Sequence, residues 1–347
     1  MSPTLVIQYW YVRNRFNSEN LVDLIECVSC AVPYALIFLK LVTFWNKRRV
    51  FKTILIAMDA DWDNTSITKD LMAEKVKLST RCSQLVLSIY VFAVFTYSLV
   101  YINGIRSTGY NNISAESAEL LIKMELPSVA YESLNFQYVI IAQICQLLLV
   151  AFAIATMDSL LITLILHVGG QIEVIHQVLA GIQLKGIKRG LQKSTFKYLF
   201  KKHQNIIDFT KYIESLFSFI ALMQMVCNTI SICCIGFMMM ISFDSNDNVR
   251  MMIKILFFYL CIAMEAFIFC YSGEYLSNKS TSIHIAAYNS LWYLLKPDDG
   301  RIIILLIARS QKKSTITAGN VIDLSLERFT GIMKASGSYM SVLLAMS

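Results

Sequence analysis

Asp323-Leu-Ser-Leu-Glu327-Arg-Phe-Thr330-Gly-Ile-Met-Lys334-Ala-Ser-Gly-Ser338-Tyr-Met-Ser341-Val342-Leu343-Leu-Ala-Met346 carries two patterns at once. Asp323, Glu327, Thr330, Lys334, Ser338 and Ser341 recur in steps of three or four, which puts them on one face of an α-helix. The other positions from Phe329 to Met346 are mostly apolar or small, with Ile332, Met333, Met340, Val342, Leu343 and Leu344 among them. A membrane-length helix that is apolar on one side and polar on the other does not face lipid all round. It lines water or packs against polar partners.

Composition explains why the membrane enters the argument. Hydrophobic residues make up 56% of the chain and charged residues 16%, where a soluble domain has roughly 25% charged. Mean hydropathy is +0.55. These values predict an all-α integral membrane protein. The net charge of +7 lies between apolar runs rather than on one soluble face, which argues for loop charge and against nucleic-acid binding.

Runs of about 20 apolar residues cross a bilayer as helices. The candidates are Val22–Phe44, Gln84–Asn103, Phe136–Leu166, Leu216–Ile241, Met251–Tyr271 and Phe329–Met346. The third is too long for the membrane alone, and its continuation through His167 to Leu179 predicts a helix that runs on into the cytoplasm. Lys and Arg crowd into loops 45–83, 167–215 and 272–328, whereas loop 104–135 holds only Arg106 and Lys123, and loop 242–250 only Arg250. This alternation orients the three basic loops to the cytoplasm and the carboxyl terminus to the outside. Residues 1–21 are then an external segment, and Asn112-Ile-Ser114 is a sequon in an external loop. Met1 to Val12 lacks the basic start and small cleavage residues of a signal peptide. Apolar residues at helical spacing in the basic loops, such as Ile206, Ile207, Phe209 and Ile213, predict that the membrane helices extend into a cytoplasmic layer.

The chain has no HExxH, GxSxG or P-loop pattern, which argues against the common hydrolase and nucleotide-dependent classes. The nine cysteines have neither zinc-site spacing nor an external pair. His167 and His176 read as ordinary histidines on a cytoplasmic helix. Asp158 and Glu265, acids inside apolar runs, are expected to pair with loop cations or water near the inner interface. No metal site, cofactor or catalytic residue is expected. The external halves of the spans are rich in aromatics and soft residues, and apolar pockets between helices suit small lipophilic ligands. Candidate ligand-binding positions are Cys27, Cys30, Phe95, Tyr97, Tyr101, Tyr138, Phe257, Phe258 and Tyr259. Pro33, in the middle of the first span, is expected to kink it and open space beside it.

Linked motifs in the C-terminal third resemble the insect odorant receptor family. They are Tyr288-Asn-Ser-Leu-Trp292-Tyr, Ile307-Ala-Arg-Ser-Gln-Lys312, Thr315-Ile-Thr-Ala-Gly319 and Leu324-Ser-Leu-Glu-Arg-Phe329-Thr. Gly273, Met157-Asp-Ser-Leu160 with His167 and Gln171, and Trp45 followed by Lys47, Arg48 and Arg49 fit as well. Lys313 stands where a proline is common, and Glu274 where a neutral polar residue is usual.

The resemblance implies a seven-helix subunit of a ligand-gated, non-selective cation channel at the plasma membrane of olfactory sensory neuron dendrites. An odorant-tuned subunit would assemble with a shared co-receptor into a hetero-tetramer and bind a small volatile ligand in an outer pocket. Aligning Trp45-Asn-Lys-Arg-Arg with the family places the first span here at the family's second, with Thr4–Val12 a remnant of the family's first helix. By this reading 22–271 is the ligand-binding bundle, 272–324 the cytoplasmic anchor and 325–347 the pore-lining helix. Pore positions are Glu327, Thr330, Lys334, Ser338 and Ser341, with Val342 and Leu343 as an apolar constriction. Anchor positions are Tyr288, Trp292, Arg309, Ser310, Gln311, Thr317 and Gly319. The related gustatory receptors and, more distantly, G-protein-coupled receptors are the alternatives. The Ala308-Arg-Ser-Gln and Thr317-Ala-Gly runs favour the odorant branch, and an external carboxyl terminus disfavours the G-protein reading.

Overall fold

The computed structural model describes residues 10, 13, 21–62, 66–108, 133–185, 193–242 and 248–346. The sequon at Asn112 lies outside these residues, as does Thr4–Val12 apart from Trp10.

All six apolar runs lie in helices. Helix α1 is Leu21–Asn46, α2 Arg48–Trp62, α3 Ser66–Thr108, α4 Ser133–Lys185, α5 Lys193–Ser242, α6 Asn248–Tyr288, α7 Pro297–Ser310 and α8 Leu326–Met346. Among the described residues, α3 to α6 each hold a stretch long and apolar enough to cross a membrane, and α1 adds the shorter Ala31–Asn46.

The long helices overrun the bilayer. The 53 residues of α4 extend roughly 80 Å at the α-helical rise, against a hydrocarbon core of about 30 Å. The expected continuation of α4 past His167 is therefore present and reaches Lys185. Most of the basic loop sequence is helical too, as α2, the first turns of α3, the end of α4 and the start of α5.

Packing density differs along these helices. Only 28% of the most apolar stretch of α3, and of α4, is buried within the protomer. Lipid is as apolar as leucine and leaves little drive to hide such side chains. The largest buried cluster instead runs from Leu161 to Ile182, Phe196 to Ile220 and Ile268 to Ala287, and takes in Ile303, Leu306, Ile316, Ala318 and Leu324. This places cohesion in the inner half and the predicted cytoplasmic layer, where burial from water supplies roughly 25 cal/mol per Å².

The chain reverses between α6 and α8 through a compact segment. Leu291 takes a left-handed conformation (φ 54°) ahead of the 3-10 turn Trp292–Leu294. Pro297 opens α7, and Asp298 and Asp299 occupy its first turn, where carboxylates favour the helix dipole. Strands β1 (Thr317–Ala318) and β2 (Ile322–Asp323) pair antiparallel, Thr317 opposite Asp323 and Ala318 opposite Ile322. Gly319 and Asn320 between them both have positive φ, 63° and 61°, the conformation that glycine and asparagine tolerate best. Ser325 then caps α8, its Oγ accepting from the Arg328 amide at 3.3 Å.

Candidate functional site: last helix, aromatic clusters and a buried ion pair

Helix α8 rests its apolar edge on α5 and α6. Ile332 and Met333 pack against Ile232, Ile235, Met238, Ile255 and Ile262. The Phe329 ring meets Phe267 edge-on at 5.6 Å, and the Tyr259 hydroxyl lies 3.4 Å from Met333 Sδ. On the other side Glu327, Thr330, Lys334, Ser338, Ser341 and Val342 are all exposed in the protomer. These positions thus form one uncovered polar face. The Leu343 side chain lies outside the described residues. Gly331 and Gly337 have nothing within 4 Å of where a Cβ would stand, so this face is free to approach another helix closely.

The hairpin fixes where α8 begins. The Gly319 amide donates to the Ser218 carbonyl (3.0 Å) and the Leu324 amide to Ile316 (3.0 Å). The Asn320 amide donates to Ser218 Oγ (2.9 Å), and that hydroxyl donates to Asn320 Oδ1 (2.9 Å). Thr317 Oγ1 donates to Glu214 (2.9 Å). Gly273 lets α6 pass against the same segment: a Cβ there would sit 2.4 Å from the Leu324 carbonyl oxygen. Lys313 has a partner of its own, Asp323, at 2.8 Å, and this bond raises the lysine pKa.

Of the anchor positions, Ser310 is buried and bonds back to Leu306, Trp292 packs on the core, and Tyr288, Arg309 and Gln311 are exposed. Deeper in this layer, Asp61 receives Lys202 at 2.8 Å and His167 at 3.2 Å. Burial alone would raise the Asp61 pKa, but the two hydrogen bonds prevail and lower it. His203 is buried, and that burial, reinforced by the Arg309 charge, pushes its pKa down to about 4.

The ligand candidates separate into groups. Tyr101, with Tyr97 beside it, joins Tyr34, Ile37, Phe136, Ile140 and Val150 in a cluster between α1, α3 and α4. Lys254 of α6 lies over both tyrosine rings, 5.6 Å from Tyr97 and 5.8 Å from Tyr101. Phe258 and Tyr259 belong instead to the cluster that seats α8. Phe257 meets Phe92 at 5.9 Å. Phe95 and Tyr138 are 58% and 70% exposed in the protomer. The side chains of Cys27 and Cys30 lie outside the described residues.

A feature the sequence reading missed sits deeper. Lys40 Nζ donates to Glu265 Oε1 at 2.5 Å, with the pair 1% and 9% exposed, and Lys40 also lies 5.4 Å from the Phe269 ring centre. The Tyr90 hydroxyl donates to Asp158 Oδ2 at 2.9 Å. Asp158 is fully buried, and its Oδ1 has no hydrogen-bond partner among the described residues. The expectation that these acids pair with loop cations is corrected: their protein partners, Lys40 and Tyr90, come from neighbouring spans. Beside Lys40 and Glu265 lies a cavity of about 20 Å³, also lined by Leu36, Ile37, Ile154, Asn228 and Ser231. Pro33 lines it too. A lysine in an otherwise apolar run was the available signal, since an intramembrane cation needs a partner.

This architecture has solved counterparts. The insect olfactory receptor OR5 from Machilis hrabei superposes with a TM-score of 0.76 at 14% identity, over 99% of this chain and 87% of that one. The same receptor in complex with eugenol gives 0.79 at 12% identity, over 99% and 88%. At such identities the likeness is one of fold. Among curated relatives, odorant receptor 2a of Drosophila melanogaster is 32% identical over 132 residues, 38% of this chain and 33% of that receptor's length. Odorant receptor 13a of the same fly is 23% identical over 99% of this chain and 88% of its own length. The odorant receptor coreceptor of Anopheles gambiae is 25% identical over 44% of this chain and 31% of its length. The family model for the 7tm odorant receptor matches residues 20–337, and the chain belongs to that family.

Proposed function

We propose that this chain is the odorant-tuned subunit of a ligand-gated, non-selective cation channel. It assembles with an odorant-receptor co-receptor into a hetero-tetramer in the plasma membrane of olfactory sensory neuron dendrites, and it binds a small volatile organic molecule among its membrane helices. The observation that carries this reading is α8, packed on α5 and α6 along one side and polar and uncovered along the other. A polar face in a membrane needs water or polar partners, and several copies around one axis supply both.

The segment before α8 supports assembly. Ile285, Tyr288, Tyr293, Leu294, Ile304 and Leu305 are large, apolar and exposed on the end of α6, the 3-10 turn and α7. This is the surface that neighbouring subunits would cover. The aromatic cluster around Tyr97 and Tyr101 is the proposed outer pocket, and Phe258 and Tyr259 link α6 to the pore helix.

The test is co-expression with a co-receptor and current recording under a broad odorant panel. The expected result is a cation current that needs this chain, persists when G proteins are blocked and is absent with the co-receptor alone. Silence at verified surface expression, with a related receptor responding in parallel, would overturn the proposal.

A further inference from the structure

The cavity beside Lys40 joins two environments that rarely meet inside a membrane bundle. Its inner wall is polar: Lys40, Glu265, Asn228 and Ser231 are each at least nine-tenths buried. Its outer wall is apolar, and Ile37 and Ile154 in that wall also belong to the aromatic cluster that contains Tyr97 and Tyr101. Two side chains therefore separate the polar cavity from the proposed odorant pocket.

The polar wall is under-used. Asn228 Oδ1 accepts from Gln224 Nε2 at 2.7 Å, which leaves the Asn228 amide hydrogens for another acceptor. Lys40 carries three donors, and among the described residues a single hydrogen bond, to Glu265, accompanies its contact with the Phe269 ring. Buried polar groups of this kind hold water or a ligand oxygen. At about 20 Å³, the space suits one small polar group, since a single water needs roughly 10–15 Å³.

We propose that this cavity is the head-group end of the ligand pocket, taking the hydroxyl or carbonyl of a small neutral oxygenated amphiphile. The hydrocarbon tail lies past Ile37 and Ile154 against Tyr97 and Tyr101. This rests on the reading that the chain binds small volatile molecules. Lys40, Asn228 and Ser231 donate to the ligand oxygen, and Glu265 accepts from a ligand hydroxyl. The charge already present sets the class. At the cavity Glu265 already faces Lys40, so a carboxylate ligand would add to buried negative charge, and an ammonium would crowd Lys40. A hydrocarbon would leave the polar wall without partners.

The test measures binding without gating. Thermal melting of the purified full-length chain is followed with medium-chain alkanols and alkanones and with the matching alkanes, alkanoates and alkylamines. Alkanols and alkanones are expected to raise the melting temperature most, and Asn228→Leu and Ser231→Ala each to weaken their binding roughly five- to tenfold while leaving alkanes unaffected. Where Asn228→Leu does not fold, Ser231→Ala, which removes one oxygen, carries the comparison. Equal stabilisation by alkanes, no stabilisation by any oxygenated probe, or wild-type binding in a folded variant would overturn the proposal. Silent currents alongside selective binding would instead count against the channel-subunit reading.

Discussion

At the scale of single residues, close approach explains more than chemistry does. Gly273 permits α6 to touch the backbone just before α8, and a Cβ there would lie 2.4 Å from the Leu324 oxygen and 2.6 Å from Leu324 Cβ. Neither atom is the end of a flexible side chain, so Gly273→Ala should cost about 1–3 kcal/mol. The last-turn Gly181 of α4 has nothing within 4 Å, and Gly181→Ala should stabilise by about 0.5–1 kcal/mol. Fluorescence-detected melting of the two variants in parallel checks this, and equal shifts would contradict it. The same scale shows why the ligand candidates were only partly legible. Tyr97 and Tyr101 are four apart and share a helix face, whereas Phe95, two positions from Tyr97, projects on the far side. Phe136 and Ile140 turn inward on the same rule and leave Tyr138 outward. The spacing held that information, but richness in aromatics does not distinguish faces. A lone lysine in an apolar run was the only local sign of the Lys40–Glu265 pair, and it could not name a partner 225 positions away.

At the scale of elements, apolar run length located the four described helices long and apolar enough to cross a membrane, α3 to α6, and Lys and Arg distribution marked their polar extensions, because both follow from the solvent each segment meets. Hydropathy could not supply the hairpin Thr317–Asp323, whose strands are two residues each. Its sign was only a Gly-Asn pair between short runs. The stripe on α8 was legible because one helix face repeats within a short window. It yields the prediction that belongs to this scale. Lys334 is exposed midway along the polar face, and a ring of lysines around a water path repels cations. Lys334→Gln should raise unitary conductance, and Lys334→Glu should raise calcium permeability relative to sodium, by several-fold each. Single-channel recording and reversal potentials in mixed-cation solutions provide the measurement. Unchanged conductance and selectivity in both variants would take Lys334 out of the water path.

At the scale of the molecule, cohesion and function occupy different levels. The largest buried cluster draws mainly on α4, α5, α6, α7 and the hairpin, with Ile54 of α2 and Val86 and Tyr90 of α3, while only 28% of the most apolar stretches of α3 and α4 is buried within the protomer. Overall stability should therefore follow the titration of the inner layer. His203 stands there with its pKa pushed from the ordinary 6.5 down to about 4, by burial first and Arg309 second, and burial also lowers His176. A histidine depressed in the folded state is neutral when folded and protonates more readily when unfolded. Its contribution is thus intact above pH 6.5 and is lost progressively as pH falls toward 4. Asp61, held low by Lys202 and His167, keeps its contribution across that window, because it is lost only as pH falls through a carboxylate range already displaced downward. The expected outcome is a melting temperature that declines between pH 6.5 and 5, with about 1 kcal/mol lost by pH 5.5 through His203. His203→Asn, neutral at every pH, should flatten that decline without abolishing it, since His176 titrates in the same direction. A pH profile of His203→Asn that overlies the wild type would show that the inner layer does not govern the stability of the whole.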